Sequence, residues 1–250
     1  MNNTAGKREQ LLGWILLILF SIFFTVLITD ASFFREIVKN IFPGQKELLY
    51  PRASLSQLMG EHLLLVFLSS ILALIIALPL GIFITRRKGI DFKTLINDLG
   101  AFSQTIPPVA VLALAVPAIG FGFKPTILAL FLYSLLPILR NTVAGIEDVP
   151  AEIKEAARGM GMTNRQLLFR IELPLAAPVI FSGIRISVVI NVGTATIGAV
   201  VGAGGLGIPI ISGLIQNNPA FVFEGAVTAA LLAILLDQLI RKIETKVTRK

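Results

Sequence analysis

Residues 63–85 read LLLVFLSSILALIIALPLGIFIT, and the chain then turns cationic at Arg86, Arg87 and Lys88. These 23 uncharged residues are far more than a strand uses, and a run of 18 or more argues for a helix that crosses a membrane. Working outward, Leu11–Thr29 supplies 19 residues without a charge and Leu99–Phe123 supplies 25. Gly183–Phe223 is interrupted only by Arg185. Two shorter apolar stretches, Pro125–Leu139 and Gly225–Leu236, need flanking residues or partial burial to span. Lipid offers a backbone no hydrogen bonds, so each run must be helical where it meets the bilayer. The expected fold class is an all-α membrane protein of about six transmembrane helices, and runs of this length exclude an outer-membrane barrel.

Composition agrees. Hydrophobic residues make up 55% of the chain and charged ones 15%, against about 25% charged in soluble domains, and the mean hydropathy is +0.83. The spans divide the chain into an N-terminal helix with an outer loop (1–62), a core membrane domain (63–240) and a short basic tail (241–250). There is no cysteine, so neither a disulfide nor a thiolate metal site can form, and no metal site is expected. Lys7 and Arg8 before the first run resemble a signal peptide, but Phe24–Asp30 holds no small-residue cleavage site, which predicts a retained helix.

A net charge of +7 raises the question of an anionic partner, and the positions of the basic residues answer it. With the N-terminus inside, sixteen of the 22 Lys and Arg fall on the cytoplasmic side and five outside, with Arg185 in a span. That bias satisfies the positive-inside rule. Topology and attraction to anionic lipid account for the excess, so a lipid membrane and no nucleic acid is the expected partner. Both termini are then cytoplasmic in a multi-pass protein, and Trp14 serves as an interfacial anchor. The outer surfaces are Asp30–Glu61 and the glycine-rich Gly202–Glu224.

The longest inside loop, residues 148–174, reads DVPAEIKEAARGMGMTNRQLLFRIELP. Asp148 with Pro150 reads as a helix start, and Gly159 with Gly161 ends that helix. Thr163 with Gln166 forms a capping box for a second helix, which carries Leu167, Leu168 and Ile171 on one side and stops before Pro174. Small Ala156 and Ala157 beside Lys154, Glu155 and Arg158 make a knob that another protein's groove can approach closely. On these residues alone, an amphipathic hairpin lying on the membrane surface remains the alternative.

Glu155-Ala156-Ala157, then Gly161, then Ile171-Glu172-Leu173-Pro174 resembles the full EAA signature of bacterial ABC importer permeases. The resemblance implies a type I permease fold, a place in a bacterial cell membrane, and a coupling helix that docks in a cleft of an ATPase subunit. It carries that role onto Glu155, Ala156, Ala157 and Gly161, with Ile171, Leu173 and Pro174 completing the motif. Residues 104–108, 122–125, 136–142, 191–196 and 202–207 resemble the osmoprotectant branch, whose cargo includes glycine betaine, carnitine and choline. The implied partners are two ATPase subunits that bind ATP and magnesium, a second permease copy or paralogue, and a separate substrate-binding protein, since the chain ends ten residues after its last span.

A polar cargo needs polar groups or broken helices at membrane depth. Gln104 and Thr105 precede Pro107 and Pro108, which remove two helix donors. Asn191, Thr194 and Thr196 flank Gly193. Both sets are candidates for the translocation path, with helix–helix packing the competing account. Arg185 lies roughly 15 Å into the bilayer at about 1.5 Å per residue, and Asp237 at corresponding depth is its expected partner in a structural ion pair. His62, the one histidine, reads as interfacial. Gly204–Gly207 lacks the lysine of a phosphate loop and reads as flexible backbone beside a gate.

The chain carries no G-x-x-x-x-G-K-[ST] sequence, so ATP-driven work must come from another subunit. Acidic residues are nearly absent from the spans, which argues against the proton or ion relay of a secondary transporter. No catalytic dyad or metal cluster at depth suggests an intramembrane enzyme. A different small cargo, such as methionine or another amino acid, is the alternative within the same class.

Overall fold

The computed structural model describes residues 3–248, and the side chains of all of these except 3–10 and Ser103. Arg249 and Lys250 of the basic tail, and the side chains of Lys7 and Arg8, therefore lie outside the described residues. No strand occurs among the described residues. The helices are α1 (Asn3–Thr29), α2 (Ala31–Ile41), α3 (Leu55–Ile84), α4 (Lys93–Thr105), α5 (Pro108–Ile119), α6 (Phe123–Glu147), α7 (Ala151–Gly159), α8 (Asn164–Leu167), α9 (Leu173–Ala195), α10 (Gly207–Gln216) and α11 (Pro219–Thr248).

Five segments are long and apolar enough to cross a membrane: Leu11–Thr29, Leu55–Ile84, Phe123–Glu147, the continuous Asn164–Val201, and Pro219–Thr248. The α3 helix starts at Leu55 rather than Leu63, because the Ser54 hydroxyl accepts the Gln57 N–H and caps the first turn. The third expected span is not one helix. It divides into α4 and α5 at Ile106, whose ψ is 121°, and at Pro107, whose ψ is 141°. Neither proline can donate to the turn before it, and a residue ahead of a proline is pushed out of the helical region. Pro108 is tolerated because it enters α5 in the first turn. The run after Arg185 is also divided, into the end of α9, a 3₁₀ turn at Thr196–Val201, and α10, which folds back on α11.

The bundle is centred on α3, α6 and α9, which pack on one another, with α11 against α9. Small residues allow this closeness. A Cβ on Gly145 would stand 3.0 Å from the Ala176 carbonyl, and one on Gly183 would stand 2.7 Å from that of Pro137, so α6 and α9 touch backbone to backbone. The α1 helix packs on α11 and leaves Leu16, Leu19 and Ile22 exposed, while Leu17, Phe24 and Leu27 face inward. An outward apolar surface of this kind is what lipid covers.

Candidate functional site

The loop signature folds into a rigid corner. The α7 helix begins after Pro150, and Asp148 closes α6 instead of capping α7, correcting the expected helix start. Its end is a Schellman motif: Met162 N–H donates to the Ala157 carbonyl at 3.1 Å and Gly161 N–H to the Arg158 carbonyl at 2.9 Å. Gly161 sits at φ +81°, a conformation that other residues enter at a cost. Ala157 points inward and is buried, whereas Glu155 and Ala156 are exposed. Next to them Met160 is 72% exposed, and Ile153 and Phe169 are also open. This is an apolar and acidic knob whose exposed side chains have no partner among the described residues. Thr163 and Gln166 form the reciprocal capping box that starts α8.

The second helix does not stop at Pro174. A π-helical turn, Leu168–Glu172, joins α8 to α9, and Pro174 enters α9 in its first turn. The widened turn absorbs the donor that proline lacks. Residues 164–201 are thus one continuous rod running from the loop into the membrane. At its foot the buried Glu172 carboxylate meets Arg86 Nη1 at 2.6 Å, tying the rod to the end of α3. Ile171 and Leu173 are half-buried around this joint, while Pro174 is exposed. Lys154 Nζ donates to the Ile146 carbonyl at 3.1 Å, holding α7 to the end of α6.

The two polar sets at membrane depth have different neighbours. Gln104 Nε2 donates to the Tyr133 carbonyl at 3.1 Å, and the Tyr133 hydroxyl donates back to the Ile106 carbonyl at the break. Helix α6 thereby satisfies a backbone group that the double proline left without a helical partner. Thr105 and Pro107 are exposed, and the Thr105 hydroxyl donates to Phe102 in its own helix. Asn191 is fully buried, and its Nδ2 donates to Ser69 Oγ and Ser70 Oγ, both at 3.0 Å. It fastens α9 to α3. Thr194 and Thr196 are half-buried, and the Thr196 hydroxyl donates to the Gly193 carbonyl. Arg185 Nε lies 3.3 Å from Asp237 Oδ1, and the other carboxylate oxygen lies 3.3 Å from Arg241.

The family description "Binding-protein-dependent transport system inner membrane component" matches residues 77–249, a span that includes the whole loop. The chain belongs to this family. It is a permease subunit of an ABC importer, a multi-pass membrane protein that works with separate ATPase subunits. Curated relatives include the osmoprotectant import permease OsmY of Salmonella typhimurium, 45% identical over 79% of this chain and 84% of the relative. The glycine betaine/carnitine/choline transport system permease OpuCB of Bacillus subtilis is 41% identical over 76% and 87%. Among solved structures, inward-facing MetNI methionine ABC transporter has a chain 27% identical to this permease, with a TM-score of 0.68 over 76% of this chain and 94% of that one.

Several positions in the permease were not identified from sequence. His62 is not interfacial. It is fully buried, and its Nε2 lies 3.0 Å from the Val192 carbonyl, because α3 begins about two turns earlier and carries it under the glycine loop. That loop is held rather than loose: the Glu61 carboxylate accepts the Gly205 N–H at 2.9 Å, and a Cβ on Gly205 would press on the His62 ring. Glu224, read as part of an outer loop, is buried and accepts the Tyr50 N–H at 2.7 Å. Tyr133, Glu61 and Glu224 each act on partners tens of residues away, so no local pattern marked them. The double proline was the one available signal, for Tyr133.

Proposed function

We propose that this permease moves small quaternary-ammonium osmoprotectants of the glycine betaine, carnitine and choline type into the cell. One observation carries the cargo class: across three quarters of the chain it is 45% identical to a permease named for osmoprotectants and 41% identical to one named for glycine betaine, carnitine and choline. The methionine transporter supports an amino-acid alternative less well, at 27% identity. In this reading the 148–174 loop and both termini are cytoplasmic, since the basic residues gather there. Two such membrane subunits, identical or paralogous, pair with two ATPase subunits that bind ATP and magnesium, and a separate binding protein delivers cargo from outside.

The geometry suggests how work enters. The exposed Glu155–Ala156 edge and the Met160 and Phe169 side chains dock in the ATPase, with Ala157 and Gly161 keeping the corner rigid. When the ATPases close on ATP, α7 moves. The π turn with Ile171, Leu173 and Pro174 passes the displacement into α9, and Arg86–Glu172 passes it to α3. Cargo contacts fall to Gln104, Thr105, Pro107 and Pro108 at the helix break and to Thr194 and Thr196 at the end of α9. Asn191 spends its donors on Ser69 and Ser70, so it sets the α3–α9 spacing beside that path, and Arg185–Asp237 is a structural pair.

The test is ATP-dependent uptake of labelled glycine betaine, carnitine, choline and methionine into proteoliposomes holding the complete complex. Uptake of one or more of the first three, with none of methionine, is expected. Uptake of methionine alone would discard the cargo class and keep the permease.

A further inference from the structure

The face opposite the 148–174 loop carries a cleft of about 640 Å³, built mainly from residues ahead of the family's matched span. One wall is α2. Asp30 caps it by accepting the Ser32 and Phe33 N–H groups, and Phe34 and Val38 bury its inner side. The other wall is the segment around Arg52. Glu224 holds it by accepting the Tyr50 N–H, Tyr50 packs edge-on against Phe221 with ring centroids 5.9 Å apart, and Asn218 donates to the Glu47 carbonyl. Both walls are therefore fixed before any ligand arrives.

Arg35 and Arg52 line the mouth. Neither has an acidic partner among the described residues, whereas Lys39 on the same helix is paired with Glu36 at 3.5 Å. Ser54 and Ser56 add hydroxyls to the lining, and residues such as Leu27 and Leu55 add apolar surface. The apolar part lies at the end of the Leu11–Thr29 span and the start of α3, and α2 leaves Phe33 and Ile41 exposed beside its cations, as a helix lying in the headgroup layer does.

We propose that this cleft binds the phosphate of a phospholipid headgroup, with Arg35 and Arg52 as the guanidinium pair and the Leu27–Leu55 surface taking the start of an acyl chain. Guanidinium forks suit phosphate oxygens better than ammonium groups do, and the walls that carry both arginines are held in place by Asp30 and Glu224. The lipid anchors the N-terminal helices to the core and stays independent of the transported cargo.

Native mass spectrometry of the full chain, purified from membranes and titrated with phosphatidylglycerol, reads the site. Arg35→Ala with Arg52→Ala should weaken lipid retention by roughly a hundredfold, about tenfold for each arginine. Lys39→Ala should leave it unchanged, and Arg35→Lys with Arg52→Lys should keep part of it. Circular dichroism of each variant checks that the helices are intact. Equal retention by the double alanine variant would overturn the proposal, as would loss on Lys39→Ala. Displacement of the lipid by equimolar inorganic phosphate would overturn the lipid assignment.

Discussion

Gly161→Ala isolates one backbone conformation. A Cβ there meets no atom within 4 Å, yet φ is +81°, so the substitution adds strain and no clash. Holding alanine in the left-handed region costs about 1–2 kcal/mol. The matching change at Gly159 also has open space but lies within α7, where alanine is favoured over glycine by about 0.5–1 kcal/mol. Two identical substitutions two residues apart should therefore act with opposite sign. The Schellman amides of Met160, Gly161 and Met162 report the opening of this corner. Hydrogen exchange by mass spectrometry should find their protection lowered about 5–30-fold in Gly161→Ala and unchanged or raised in Gly159→Ala. Asparagine at 161, which tolerates this region, should fall between alanine and wild type. Equal effects of the two alanines would refute the claim that a left-handed glycine fixes the corner.

Arg86→Met and Glu172→Gln should each lower stability by about 1–3 kcal/mol, less than for a fully sealed pair because the Arg86 side chain is 29% exposed. Thermal unfolding of both single variants and the double should find the double milder than the sum. Tyr133→Phe removes the donor to the Ile106 carbonyl and should cost about 1 kcal/mol, read as a midpoint about 2–4 °C lower. Arg185→Leu leaves Asp237 with only Arg241 and should reduce the yield of assembled complex while the order of cargo preference stays the same. A changed cargo order at normal yield would put Arg185 in the path.

The spans were legible because lipid imposes one rule over some twenty consecutive residues, and the stretch at 63–85 obeys it without a break. The loop corner was legible for a related reason: Gly161 and the Thr163–Gln166 box act within a few residues of one another. Prolines misled in both directions. Pro107 and Pro108 broke a span expected to be whole, whereas Pro174 sits inside a rod that a π turn keeps continuous. At Pro174 the widened Leu168–Glu172 turn keeps the rod continuous, whereas at Pro107 and Pro108 the helix breaks and Tyr133 on α6 caps the exposed Ile106 carbonyl. His62, Glu61 and Glu224 were misread or missed because their meaning lies in long-range contacts with Val192, Gly205 and Tyr50.

Coupling requires the exposed edge of α7 to meet the ATPase. Because the chain has no cysteine, Ala156→Cys gives a single attachment point for a photoreactive label in the assembled complex, and Gln57→Cys on the opposite face is the control. An adduct with the ATPase subunit from position 156 that changes in yield with ATP is expected, and none from position 57. Labelling from 156 that reaches only lipid, with ATPase bound and active, would contradict it.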